Sequence, residues 1–333
     1  MPIVLKALKS TTDLDYTSDR YELIVDNVST DGSFEEIKRF LEKKSRLRKK
    51  IVRLSRNLGF TGGNNVGFMA RDTESKYVLL LNNDAILFQK GLKILVENIE
   101  KYDVAGLQGI ILRYGTTLIS SIGDYVDELL QIYPLGMYHE YPWILRKPIY
   151  VTFVDGSCSL YNVKSVLKCL GNKLFIDDFF AYGDDNVLGL MLWNCGYKLI
   201  GIPEIVASHV GGLTFGRESN LSTYLWERNR IALALTTNTR YRHFILLHIL
   251  RDTIVSIMKA KFLKSKIRVR ALINGVKLGS KLRSKGIFID IYKVPLIKIP
   301  LRHIGFHLMT RRKSIIKYHE NWIVRNLSFL TVE

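Results

Sequence analysis

Tyr77 to Ala85 reads YVLLLNNDA, a continuous apolar run that stops abruptly at two amides and a carboxylate. A half-exposed strand would alternate, so a run of this kind predicts a strand covered on both faces. Upstream, NLGFTGGNNVG (Asn57 to Gly67) joins an Ile51–Leu54 strand to a helix ending near Arg71. Before it, YELIV (Tyr21 to Val25) predicts a strand ending in Asp26. Ser33 to Lys44 then has the helical spacing of Phe34, Ile37, Phe40 and Leu41, with Ser33 able to cap and Glu36 three residues on. Downstream, a helix over Phe88–Lys101 and a strand over Ala105–Leu112 continue the alternation. The series predicts an α/β fold, a mostly parallel sheet flanked by helices, with ligands beyond the carboxyl ends of the strands. Asp26, the Gly59–Gly63 turn and Asp84 all fall at such ends. Tyr114 to Tyr150 has weak periodicity and reads as loop and hairpin.

The composition, 333 residues with 47% hydrophobic and 24% charged, excludes disordered and collagen-like chains. Three cysteines, Cys158, Cys169 and Cys195, show no metal or redox spacing, and their odd number predicts no disulfide framework and a reducing, cytoplasmic setting. No run approaches the ~18 apolar residues of a spanning helix. Residues 1–216 carry 25 basic and 25 acidic side chains, whereas 217–333 carry 24 and 6, so the later part holds all of the net charge of +18. That asymmetry separates a neutral α/β unit from a region facing something anionic. Arg240–Phe262 and Val294–Met309 mix apolar residues with Lys, Arg and His. They predict interfacial segments on an anionic membrane, with packing onto the first unit as the alternative. Nucleic acid is not expected, since no basic patch interleaved with aromatics is visible.

Five constellations carry chemistry. Asp26, at a strand end, can hydrogen-bond a base or ribose, while Asp31-Gly32-Ser33 reads better as a turn capping the next helix. The glycines and asparagines of 57–67 permit close backbone approach to a phosphate or base, with a tight turn as the equal alternative. Asp84, after Asn82-Asn83, offers a hard oxygen donor to a diphosphate-bound Mg2+ or Mn2+, the alternative being an Asx-turn. Asp184-Asp185 cannot both ionise freely, so one can become a general base, whereas simple acidic matching of a helix start is the plain alternative. Asp177-Asp178 is assigned to that plain role. His209, before two glycines, is a lone imidazole of the sort that is more often structural unless a metal-binding carboxylate lies beside it.

In this order and spacing the five motifs resemble the family 2 glycosyltransferases, which have the glycosyltransferase-A fold. The resemblance covers roughly Pro2 to Asn238 and is nearest the rhamnosyl- and galactofuranosyl-transferase-like branch in its NxGFxGGNN and NND wording. It implies nucleotide and donor binding by Asp26, Asn57, Gly62, Gly63, Asn64 and Asn82, and a divalent metal, Mg2+ or Mn2+, on Asp84 and His209. It implies Asp185 as the base with Asp184 tuning it, Asp155 of FVDGS on the acceptor side, and a helical Arg228-Asn229-Arg230 motif. The implied reaction is inverting transfer from a nucleotide-sugar donor to a hydroxyl of a glycan or lipid-linked acceptor. It would occur peripherally on the inner face of a cell membrane. A catalytically impaired nucleotide- or carbohydrate-binding homologue is the alternative.

Three departures accompany it. The family's first apolar strand and its Thr-Tyr-Asn-like turn are absent, Met1 falling where the next helix should begin, which predicts a true start upstream. The pair is Asp-Asp where Glu-Asp is usual. Val187 and Met191 stand where the family has Asp and Arg. The expected division is a catalytic domain over 1–238 and a basic amphipathic helical region over 239–333.

Overall fold

A computed structural model describes residues 2–16, 19–44, 47–211, 219–305 and 312–332. It opens with α1 (Pro2–Thr12), β1 (Glu22–Asp26), α2 (Ser33–Glu42), β2 (Lys49–Arg53), α3 (Gly59–Ala70) and β3 (Tyr77–Leu81). Next come β4 (Ala85–Leu87), α4 (Gly91–Tyr102), β5 (Gly106–Arg113), β6 (Ile119–Ser121), β7 (Asp124–Asp127), β8 (Ile132–Pro134) and β9 (Ile149–Tyr150). They are followed by β10 (Cys158–Asn162), α5 (Val163–Leu170), α6 (Asp184–Asn194) and β11 (Leu199–His209). The remainder is helical apart from one short strand: α7 (Asn220–Thr236), α8 (Arg242–Met258), α9 (Phe262–Ser284), β12 (Leu296–Ile297), α10 (Arg312–Arg325) and α11 (Leu327–Leu330).

The α/β class is as expected, but the pairing is mixed rather than mostly parallel. The main sheet runs β3-β10-β5-β11-β4, with only β5–β11 parallel along that path. The β-α alternation holds only as far as β5. After it, the hairpin-rich stretch over 114–157 returns the chain from the opposite end, so β10 enters between β3 and β5 reversed. β1 and β2 pair parallel in a separate two-stranded sheet. Among the described residues no strand precedes β1, and none pairs with the second edge of β1 or of β3. Both edges line one cavity, with Val4 and Leu8 of α1 and Gly67 and Phe68 of α3 around it. Two sheet edges with unpaired backbone groups therefore share a slot, a place where a further strand would satisfy both.

Helix α2 begins at Ser33, but Asp31 does the capping work, its Oδ1 accepting the Ser33 N–H at 3.1 Å after Gly32 at φ 82°. The central core packs Leu107, Ile111 and Leu160 of the sheet against Leu95 and Ile99 of α4. A second core joins Val187 and Leu190 of α6 to Ile231 of α7, Ile245 of α8 and Leu282 of α9. Val187 is buried there and Met191 packs against the same cluster, so both fill core where the resemblance implies Asp and Arg.

The sequence expectations for the thiols and for one basic segment need correcting. Cys169 and Cys195 form a disulfide with Cα atoms 5.8 Å apart, tying the end of α5 to the cap of α6. Twenty-six residues separate them, and only the packing of α5 on α6 brings them together, so spacing could not reveal the bond. The pairing removes the cysteine argument for a reducing compartment. Val294, Leu296, Ile297, Ile299 and Ile304 are buried, with Leu296–Ile297 added to β7. Most apolar side chains of that segment are thus packed rather than interfacial, Leu301 alone of the large ones being exposed as far as residue 305, and 306–309 lie outside the described residues. Among the described residues, no helix is long and apolar enough to cross a membrane.

Candidate active site

β4 follows Asp84 directly and pairs antiparallel with the end of β11, with Ala85 opposite His209. His209 Nε2 consequently lies 2.9 Å from Asp84 Oδ1. The Gly211 N–H donates to Asp84 Oδ2 at 3.1 Å, and the Val210 N–H to the Asp84 carbonyl at 3.1 Å. Burial pushes the Asp84 carboxyl up. The hydrogen bond and charge of His209, with the Gly211 N–H, outweigh it and leave the group below the usual range.

The second cluster forms at the start of α6. The Asn229 amide of α7 donates to the carbonyls of Phe179 (3.1 Å), Ala181 (2.9 Å) and Tyr182 (2.6 Å). Arg228 Nη2 donates to those of Asp178 (3.1 Å) and Phe179 (2.6 Å). These bonds clamp the turn that delivers Asp184 and Asp185, and so give the Arg228-Asn229 pair a physical job. Asp177 is paired with Lys173 and Asn65, and Asp178 with Lys281 and Lys285. Gly156 leaves room for the base candidate, since a Cβ there would lie 2.6 Å from Asp185 Oδ1.

Asp184 Oδ2, Asp185 Oδ1 and Asn186 Oδ1 are buried without a hydrogen-bond partner among the described residues. Burial, then the charges of Asp184 and Asp155, drive the Asp185 pKa well above the ordinary carboxylate value. Burial and Asp155 also raise Asp184. Sequence reasoning missed Asp124, a buried carboxylate at the start of β7 that accepts the Ser121 hydroxyl. Ser121 Oγ in turn accepts from Gln108 Nε2 at 3.1 Å, and Gln108 Oε1 accepts the Asp155 N–H at 2.6 Å. The only available signal was a carboxylate inside the apolar stretch SIGDYV.

The donor-side candidates gather around α3, which starts at Gly59, so Gly62, Gly63 and Asn64 stand in a helix rather than in the expected turn. Asn27 builds the entry, its Oδ1 accepting the Leu58 N–H at 2.9 Å and its Nδ2 donating to the Gly59 carbonyl at 3.0 Å. Asn57 Oδ1 accepts the Gly59 N–H at 2.8 Å. Gly59 has φ +71°, and a Cβ there would meet the Phe180 carbonyl oxygen at 2.3 Å, so only glycine fits. Asp26 is buried, 3.3 Å from Arg53 Nε.

Asp26, Asn57, Gly63, Asn64, Asn82, Asp84, Asp155, Asp184, Asp185 and His209 all line one cavity of about 2310 Å3. Gly62 does not line it and packs against Leu58 instead. Among the described residues no three His, Cys, Asp or Glu side chains are grouped to hold a metal ion unaided. Asp84 and His209 supply one carboxylate and one imidazole, a donor pair that suits an ion taking its other oxygens from a bound diphosphate.

The family model described as Glycosyl transferase family 2 matches residues 2–169. No curated protein matches the chain. Among solved structures, it is similar to Staphylococcus aureus TarS (S. aureus TarS; TM-score 0.53, 14% identity, 97% of this chain and 51% of that one). It is also similar to the mannosyltransferase PcManGT from Pyrobaculum calidifontis in complex with GDP-Man and Mn2+ (TM-score 0.52, 14% identity, 98% and 83%). GalNAc-T7 with UDP, GalNAc and Mn2+ aligns with TM-score 0.51 and 13% identity over 67% of this chain and 45% of that one. The chain spans about half the length of the GalNAc-T7 and TarS chains. At these identities the likeness carries the fold.

Proposed function

This chain belongs to glycosyl transferase family 2 and has the glycosyltransferase-A fold, and on that footing we propose that it moves a sugar, with inversion at the anomeric carbon, from a nucleotide-sugar donor to a hydroxyl of a glycan or lipid-linked acceptor. The observation that carries the reading is the Asp84–His209 contact in the same cavity as Asp184 and Asp185, whose Oδ2 and Oδ1 have no hydrogen-bond partner among the described residues.

Asp26 takes the nucleotide base or ribose, while Asn57, Gly63, Asn64 and Asn82 line the donor's path. Asp84 and His209 would hold a Mg2+ or Mn2+, which when bound offsets the charge growing on the leaving diphosphate. Asp185 accepts the proton of the acceptor hydroxyl as that oxygen bonds to the anomeric carbon and the diphosphate oxygen leaves. Its raised pKa makes it a stronger proton acceptor than an ordinary carboxylate. Asp184 and Asp155 tune it by like charge, and Asp155 also faces the acceptor. The protein acts peripherally at the cytoplasmic face of an anionic membrane.

The test is hydrolysis of a panel of UDP- and GDP-sugars by the purified chain with Mn2+ and with chelator. Metal-dependent release of the nucleoside diphosphate is expected. The open slot between β1 and β3 favours a second reading, an impaired nucleotide- or carbohydrate-binding homologue, in which donors bind but are not cleaved.

A further inference from the structure

From Ile257 to Lys264 (IMKAKFLK) eight successive residues are exposed, spanning the end of α8, the link and the start of α9. Met258 is 79% exposed, Phe262 71%, Leu263 63% and Ile257 50%. The helices carrying this tip are anchored below it. Ile245 and Ile249 of α8 and Leu278 and Leu282 of α9 are buried in one cluster. Cβ atoms at Gly275 and Gly279 would lie 2.7 Å from the Arg228 carbonyl oxygen and 2.8 Å from Leu235 Cβ, so α9 lies tightly along α7. The apolar tip is therefore held out by a packed base.

Between Thr253 and Ile289 the sequence has ten Lys and Arg and no Asp or Glu. Among the described residues, no carboxylate pairs with Lys259, Lys261, Lys264 or Lys266. Apolar side chains at a tip, ringed by lysines, match lipid chains beneath phosphate head groups. A two-fold contact between copies would instead set the same lysines against each other. We infer that the α8–α9 tip enters an anionic phospholipid bilayer and aligns the catalytic cavity with it. Trp226 and Arg230 of α7 and His248, Asp252 and Val255 of α8 line the same cavity as Asp185, and Val255 lies one turn before Met258. A lipid-anchored acceptor then reaches Asp185 along α8 without leaving the bilayer. The route rests on the transferase reading, whereas the membrane contact does not.

The full chain is sedimented with phosphatidylcholine vesicles with and without phosphatidylglycerol. Donor hydrolysis is measured separately without vesicles. Sedimentation only with phosphatidylglycerol is expected, weakened about tenfold or more in Met258→Glu/Phe262→Glu/Leu263→Glu. The triple variant should keep parental vesicle-free hydrolysis. In Phe262→Trp, indole emission should shift to the blue on anionic vesicles. Parental binding by the triple variant, no vesicle binding by the parent, or a dimer that the triple variant dissolves would each overturn the proposal. Vesicle binding without donor hydrolysis would sink the transferase reading and leave the membrane contact standing.

Discussion

His209 Nε2 sits 2.9 Å from Asp84 Oδ1 although 125 residues separate them. One register produces that contact. β4 is three residues long, begins immediately after Asp84, and pairs so that Ala85 faces His209. Because side chains alternate along a strand, a slip of one residue would turn His209 to the other face and dissolve the pair. A short strand is thus the part that unites two motifs far apart along the chain.

Asp84→Ala removes the carboxylate of that pair. It should weaken Mn2+-dependent binding of UDP or GDP by at least about 10–100-fold, the loss already seen when only the partners of metal ligands are changed. The fold should survive with a lowered thermal midpoint, because His209 Nε2 and the Gly211 N–H lose the carboxylate they contact. Calorimetric titration of nucleotide with and without Mn2+ measures the effect. Parental affinity in the variant would remove Asp84 from the metal assignment.

Asp185→Asn keeps shape and removes the proton acceptor. Donor binding should stay within about twofold, while transfer falls about 10²–10⁴-fold. The parent's pH profile carries a sign. A base whose pKa is raised by burial and by Asp184 and Asp155 is ionised only at higher pH than an ordinary carboxylate, so transfer should rise as pH rises. Asp184→Asn removes a like charge and should move that rise to lower pH. A flat profile, or transfer surviving in Asp185→Asn, would place the base elsewhere.

What was legible follows from where the information lies. Tyr77–Leu81 is a strand with the bounds its apolar run predicts. Asp26, Asp84 and Asp184-Asp185 reach a common cavity because each sits where an element ends. Features set by distant partners were not legible. Helix α3 starts at Gly59 because Asn27, some thirty residues earlier, ties down its entry. Asp124 joins the carboxylates through Ser121 and Gln108, contacts that require β6 to fold back beside β5. The reversal of β10 and the bond between Cys169 and Cys195 arise from tertiary packing alone.

Asn229→Ala deletes the two amide N–H donors that the Phe179, Ala181 and Tyr182 carbonyls share and leaves those groups without them. At about 1 kcal/mol per net hydrogen bond, and more where a buried acceptor is stranded, a loss of roughly 2–4 kcal/mol is expected. Activity should fall further than stability accounts for, because the clamped turn aims Asp184 and Asp185. Denaturant unfolding and kcat at a temperature where the variant stays folded separate the two effects. Parental kcat in the folded variant would reduce Asn229 to a purely structural part.

Asp124 supplies a stability test independent of turnover. Burial first, and then the Asp155 carboxylate, raise its pKa well above the ordinary 3.8. The folded state therefore holds the proton more tightly than the unfolded chain does. By linkage its stability declines as pH rises from about 4 toward the folded value. Asp124→Asn abolishes this titration, keeps an oxygen for the Ser121 hydroxyl, and turns repulsion toward Asp155 into an amide–carboxylate attraction. The variant's stability relative to the parent should therefore improve from pH 5 to pH 8. Thermal midpoints of both proteins at the two pH values measure the difference. An equal offset at pH 5 and pH 8 would mean that Asp124 is already ionised in the fold, and that the like-charge cluster around Asp185 is weaker than its burial implies.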